Sequence, residues 1–222
     1  MNGAVAPRAC GALSVSLLAL LVRRMIPSAL LVLVLLGRTA AASGQLRDGD
    51  IVFQSSRSGQ SLAVQLATHS PYSHVGIVFM RDGKPFVYEA VATVRYTPLE
   101  EWRKHGDGGR YVVKRLKTPL DAAQVEKLRE AASPFEGKPY DLYFEWTGER
   151  IYCSELVWKM YDQALGVRLG ELQKLREFDL GNDVVRAKIR ERYGANVPLD
   201  EPVISPARLF AAPLLIEVEQ KK

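Results

Sequence analysis

Cysteine and histidine are among the scarcest residues of this 222-residue chain, two of the first and three of the second. Two thiols do not make a disulfide framework, and scattered imidazoles offer no pair at zinc-ligand spacing, so neither a cross-linked scaffold nor a metal site is expected. No apolar run reaches the roughly 18–20 residues that a membrane span needs. No repeat, low-complexity tract or basic stripe interleaved with aromatics is visible, which removes any argument for nucleic-acid binding. Acidic residues are missing from positions 1–42 altogether.

What is present is otherwise ordinary: 47% apolar and 25% charged residues, the composition of a globular protein. Two apolar runs, 12–22 and 26–36, flank Arg23 and Arg24. The second has the parts of a secretory signal: a positive flank, an apolar stretch and the small residues Ala40-Ala41-Ala42 as a cleavage site. Residues 1–42 are therefore read as a signal peptide, with a retained membrane anchor as the alternative. The protein is expected to be exported, periplasmic or extracellular. Removal after Ala42 leaves 180 residues, enough for one domain with a sizeable core at 43–222. Arg8, Arg23, Arg24 and Arg38 leave with the signal, so a net charge of +5 falls to +1, with 26 basic residues facing 25 acidic ones. The high isoelectric point belongs mostly to the signal.

The pattern after residue 42 alternates short apolar runs with helical periodicity. Strands are expected at 50–55, 74–80, 86–93, 110–116, 203–205 and 214–218, with Asp82-Gly83 as a hairpin turn. Helices are expected from a Ser58 cap through Thr68, from Pro98, from Thr118-Pro119 with Val125, Leu128 and Ala132 on one face, and over 153–165. Residues 166–197 read as further helix and loop, rich in charge. The fold class is α+β, a central, mainly antiparallel sheet with helices packed on it.

Cys10 falls within the signal, so Cys153 is the sole thiol of the exported protein. It opens a helix, whose N-terminal partial charge favours a thiolate. Of the three histidines, His105 lies in a Gly-rich turn, His69 suits a helix C-cap, and His74 begins the most apolar strand. His74 is the better partner for a thiol–imidazole pair. A two-residue Asp82-Gly83 loop pairs Arg81 with Lys84 and brings Glu89 opposite Gly76. That is a diagonal from His74 that an extended carboxylate spans, and it would orient the imidazole. The plainer alternatives are a core cysteine, a structural histidine and a solvent-facing glutamate.

Together, Leu46–Phe53 (L-R-D-G-D-I-V-F), Ser73–Val78 (S-H-V-G-I-V), Gly137–Asp141 (G-K-P-Y-D) and Ile151–Val157 (I-Y-C-S-E-L-V) resemble the YiiX/YebB-like group of the NlpC-type cysteine peptidase superfamily, its circularly permuted papain-like branch. Lecithin–retinol acyltransferase is similar in the same order. The resemblance implies a permuted papain-like fold, Cys153 as nucleophile, His74 as general base, Glu89 as its orienting group and Tyr140 as a hydroxyl on the oxyanion side. It implies a thiol hydrolase that cleaves an amide, of peptide or murein-stem type, through an acyl-enzyme, with no cofactor. Unpermuted murein-peptide hydrolases have Asp directly before the nucleophile, where this chain has Tyr152. Tyr152, Tyr143 and Trp146, with Tyr140 and Phe144, would line an aromatic entrance for substrate, or simply pack a loop over the core. The substrates left open are a small peptide, a murein fragment or a lipid. The alternatives are a lipid-directed acyl hydrolase or acyltransferase in contact with a membrane surface, and a lipid or amino-acid binding protein whose thiol does little.

Overall fold

The β-branched run that starts at His74 is buried along nearly its whole length, which suits a strand flanked on both faces. In the computed structural model, which describes residues 45–221, it forms β2 (His74–Arg81) in the middle of the sheet. The expected signal segment and cleavage site lie outside the described residues. Among the described residues no helix is long and apolar enough to cross a membrane.

β2 pairs with β1 (Ile51–Gln54) on one side and β3 (Lys84–Ala90) on the other. Asp82 and Gly83 both have positive φ, 49° and 72°, the backbone of a tight hairpin turn whose twist matches the strands. The register runs from Arg81 opposite Lys84 to Ile77 opposite Tyr88. One step further sets Glu89 across from Gly76. The full sheet has the order β4-β3-β2-β1-β5-β8, with β4 at Val94–Pro98, β5 at Tyr111–Leu116 and β8 at Leu215–Lys221. Every neighbouring pair is antiparallel.

The expected strand over 86–93 is β3, which starts two residues earlier at Lys84, and a strand that was not expected follows it. β3 ends at Ala90, and the chain returns as β4, whose last residue, Pro98, lies opposite Phe86. Proline is tolerated there because β4 is an edge strand. The same residue then caps α2 (Leu99–Lys104). The late strand at Val203 does not join the main sheet either; β7 (Pro202–Val203) pairs only with β6 (Gln173–Lys174).

Helices cover both faces. α1 (Gly59–Thr68) starts at Ser58, whose side chain accepts the Ser61 N–H, and ends at His69, whose φ of 51° returns its own N–H to the Gln65 carbonyl. α3 (Ala122–Ala132) starts three residues later than Pro119 suggests, because Asp121 and Gln124 cap each other's backbone N–H. α4 (Cys153–Leu165) lays Leu156, Val157, Met160 and Tyr161 on the sheet face formed by Ile51, Phe53, Val75, Ile77 and Phe79. The opposite face, with Val52, Val78 and Val87, is closed by Leu99 and Trp102 of α2. α5 (Asp183–Tyr193) packs on α1, and α6 (Pro206–Phe210) near α4.

The D-G-D block has a structural task. Asp50 receives Arg115 at 2.6 and 2.7 Å, and Asp48 accepts the Met80 N–H at 2.9 Å and the Arg129 guanidinium. The Tyr161 hydroxyl donates to the Gly49 carbonyl, tying α4 to the start of β1. Gly76 is as constrained: a Cβ there would strike Val87 and come within 2.9 Å of the Tyr88 carbonyl oxygen. Gly76→Ala should therefore cost about 1–3 kcal/mol by overpacking, measured by urea unfolding. It should also lower activity, since the strand it displaces carries Glu89.

Candidate active site

The first turn of α4 is fixed from two directions. Ser154 Oγ donates to the Ile204 carbonyl at 2.8 Å, and the Ile204 N–H donates to the Tyr152 hydroxyl at 3.1 Å. Glu155 folds back to accept the Tyr152 N–H at 3.3 Å and pairs with Lys159 at 2.5 Å. The Y-C-S-E block thus holds the helix tip in place, and the thiol of Cys153, 4% exposed, is carried at that tip.

His74 is the first residue of β2, on the Trp102 side of the sheet, with the two rings 6.1 Å apart. Its Nε2 lies 2.5 Å from Glu89 Oε2, and the other carboxylate oxygen accepts the Thr97 hydroxyl at 2.6 Å. Glu89 is completely buried, so these two bonds replace its lost hydration. Nε2 being taken, Nδ1 is the nitrogen left for the thiol, which is close enough to influence the imidazole electrostatically. Burial alone would pull the imidazole pKa down. The hydrogen bonds and negative charges of Cys153 and Glu89 outweigh it and push the value up to about 10. Burial likewise works to raise Glu89, but the His74 cation and the Thr97 bond hold it below the usual glutamate value. The arrangement is that of a thiol beside an imidazole with a carboxylate behind it.

The Tyr140 hydroxyl completes the cluster. Burial, and next the neighbouring Cys153, raise its pKa well above the ordinary tyrosine value and keep the phenol protonated. It accepts from Gln60 Nε2 at 3.0 Å, and Gln60 Oε1 accepts from Arg192 at 2.5 Å. Arg192 also lies 5.0 Å over the Phe144 ring, which meets Tyr152 edge-on at 5.0 Å.

Cys153, His74, Glu89 and Tyr140 therefore come together, and Tyr152 stands beside them, lining the same cavity as Cys153. Tyr143 and Trp146 do not join them. Asp141 caps the N–H groups of Tyr143 and Glu145 at 2.8 and 2.5 Å, a turn that carries both rings away. Tyr143 lies exposed near Tyr193, and Trp146 packs on Trp158 at 5.5 Å. Three neighbours were not found from the sequence. Thr97, Gln60 and Arg192 are common polar residues whose signal is purely spatial, and Arg192 lies in the charged stretch for which the pattern gave no detail.

Two cavities flank the cluster. One, of about 100 Å³, is walled by Ala63 and Val64 of α1, Val185 and Ile189 of α5, and Val203 and Ile204; Cys153 lines it and His74 does not. The other, of about 560 Å³, is an open cleft lined mostly by residues of polar type, among them His74, Glu89, Arg57, Lys104 and His105, without Cys153. Gln60, Ser73 and Tyr140 border both.

Known proteins similar to this chain identify its family. Residues 45–218 match a family described as "Permuted papain-like amidase enzyme, YaeF/YiiX, C92 family". The chain is 52% identical over 192 residues to "Uncharacterized protein YiiX" of Escherichia coli (strain K12), covering 86% of this chain and 95% of that one. A crystal structure described as metalloprotein yiiX from Escherichia coli O157:H7 superposes with a TM-score of 0.78 at 55% identity, over 80% of this chain and 98% of that chain. The residues described here do not fit a metal at this site: Glu89 sits behind the imidazole with both oxygens engaged, so it does not converge with Cys153, and no other cluster of three His, Cys, Asp or Glu occurs among the described residues. With the fold, the order of the motifs and these relatives in agreement, the chain belongs to the permuted papain-like amidase family of YaeF/YiiX proteins.

Proposed function

We propose that the protein is a cysteine amidase working through Cys153, His74 and Glu89, with a short apolar acyl half bound on the sulfur side and the amine half released on the imidazole side. The observation that carries this reading is the buried chain of contacts from Cys153 through His74 to Glu89. The thiolate attacks the amide carbonyl. The imidazolium gives its proton to the leaving nitrogen, the C–N bond breaks, and an amine departs from a thioester on Cys153. Water then attacks the thioester, His74 takes its proton, and the C–S bond breaks to release the acid. The Cys153 N–H at the helix tip and the Tyr140 hydroxyl, held by Gln60, face the developing oxyanion.

The leaving nitrogen must meet the imidazole, so the cleft that His74 lines takes the amine half and the cavity that Cys153 lines takes the acyl half. At about 100 Å³ the acyl cavity falls below the roughly 300–1,000 Å³ of pockets for drug-sized ligands, whereas the cleft falls within that range. Its apolar walls suit a short branched or aryl acyl group better than a polar murein stem or a long lipid chain. Among simple N-acyl amides, isovaleryl amides should exceed acetyl and hexadecanoyl amides in kcat/KM by tenfold or more. Intact-mass spectrometry should catch the acyl group on the protein. Preference for hexadecanoyl amides would replace this reading with a lipid-directed enzyme.

A further inference from the structure

The cleft beside His74 is cationic. Of the side chains that line it, Arg57, Lys104 and His105 are basic and Glu89 is the one acid, already committed to His74 and Thr97. Of the cations of the acyl cavity, Lys188 pairs with Glu191 at 2.6 Å, while Arg192 is held to the neutral Gln60 amide and lies over the Phe144 ring. Neither cation that lines the cleft, Arg57 or Lys104, has an acidic partner among the described residues. Arg57 spends Nε and one Nη on the Gly106 carbonyl, at 3.2 and 3.1 Å, a neutral partner that leaves its charge uncompensated. Lys104 is exposed at the end of α2 and makes no ion pair among the described residues, whereas its neighbour Arg103 pairs with Glu100 and Arg110 with Asp107. Cations left unpaired around a concave surface favour an anion there and focus its approach.

We propose that this cleft is a subsite for a negatively charged amine half, a carboxylate or phosphate held by Lys104 and Arg57 while the leaving nitrogen meets His74. The inference rests on the amidase reading for which side of the thiol the amine occupies. It adds a substrate class: short apolar acyl groups joined to amines that bear an anion. Lys104 is then a specificity-determining residue.

The test compares isovaleryl amides of glutamate, of glutamic acid diamide, of lysine amide and of phosphoethanolamine. One or both anionic amides should exceed the neutral diamide at least tenfold in kcat/KM, chiefly through KM, and the cationic amide should be the poorest. The better of the glutamate and phosphoethanolamine amides identifies the anion. In Lys104→Glu the anionic-to-neutral ratio should fall at least tenfold. Equal rates on anionic and neutral amides, or a ratio unmoved by Lys104→Glu, overturn the proposal. If no amide is cleaved, the amidase reading fails separately, and alkylation of Cys153 decides the charge of the cleft. The ratio of iodoacetate to iodoacetamide rate constants should fall at least threefold in Lys104→Glu, and an unchanged ratio refutes an anion site.

Discussion

Cys153→Ala removes turnover, by roughly 10⁴-fold or more, while the protein stays folded. The loss is large because no other group can replace the sulfur. Ser154 is turned away to the Ile204 carbonyl, and the Tyr140 phenol is held protonated by burial beside Cys153. The fold should survive because an alanine fits the space of the thiol, and the helix tip is held by Tyr152, Ser154 and Glu155 rather than by sulfur. Matching melting curves would separate lost chemistry from lost structure. The same variant should escape labelling by an electrophilic probe that marks Cys153 in the parent. Mapping is simple, since Cys10 is the one other cysteine in the chain. Turnover in Cys153→Ala, or a label that persists in it, would remove Cys153 from the mechanism and the amidase proposal with it.

The parts of this site that were legible in the sequence are those governed by local rules. The Asp82-Gly83 turn fixes the hairpin register, and register alone sets Glu89 diagonal to His74. The helix that starts at Cys153 follows from apolar spacing, and a strand at 74–80 from β-branched content. What stayed hidden depends on distant parts of the chain. Arg192 reaches Gln60 across 132 positions, and no periodicity encodes that meeting. Thr97 reaches Glu89 on the diagonal because β4 is a separate edge strand, and Pro98 masked that strand by resembling a helix start. Composition misled at residues 143 and 146, where aromatic density suggested an entrance. Which way those rings point is set by the Asp141 turn, a matter of two backbone N–H groups. The division into an apolar and a cationic cavity was likewise invisible, because each is assembled from segments far apart in sequence.

Glu89→Gln should lower kcat by roughly 10²–10⁴-fold while the hairpin stays intact, because an amide can hold the imidazole but cannot neutralise its charge. The pH dependence distinguishes this from simple damage. In the parent protein His74 is raised from 6.5 to about 10 in the folded state, so the alkaline limb of activity belongs near pH 10. Without the Glu89 charge that limb should move to lower pH. Stability must follow the same sign. A raised histidine stabilises the fold fully below pH 6.5, and the contribution fades as pH climbs through 10; a depressed Glu89 stabilises above its ordinary pKa of 4.5 and fades as pH falls below it. The pair therefore contributes most between about pH 4.5 and 6.5, on the order of a few kcal/mol. Glu155, pushed up to about 7 by burial, also weakens the fold as pH rises from 4.5 to 7, but it does so in both proteins and cancels in the difference. Subtracting urea-derived stabilities of Glu89→Gln from the parent should thus leave a curve highest between pH 4.5 and 6.5 and declining on either side. A flat difference, or an alkaline limb that stays at pH 10, would mean that Glu89 is a packing residue and that the His74 cation owes its stability to Cys153 alone.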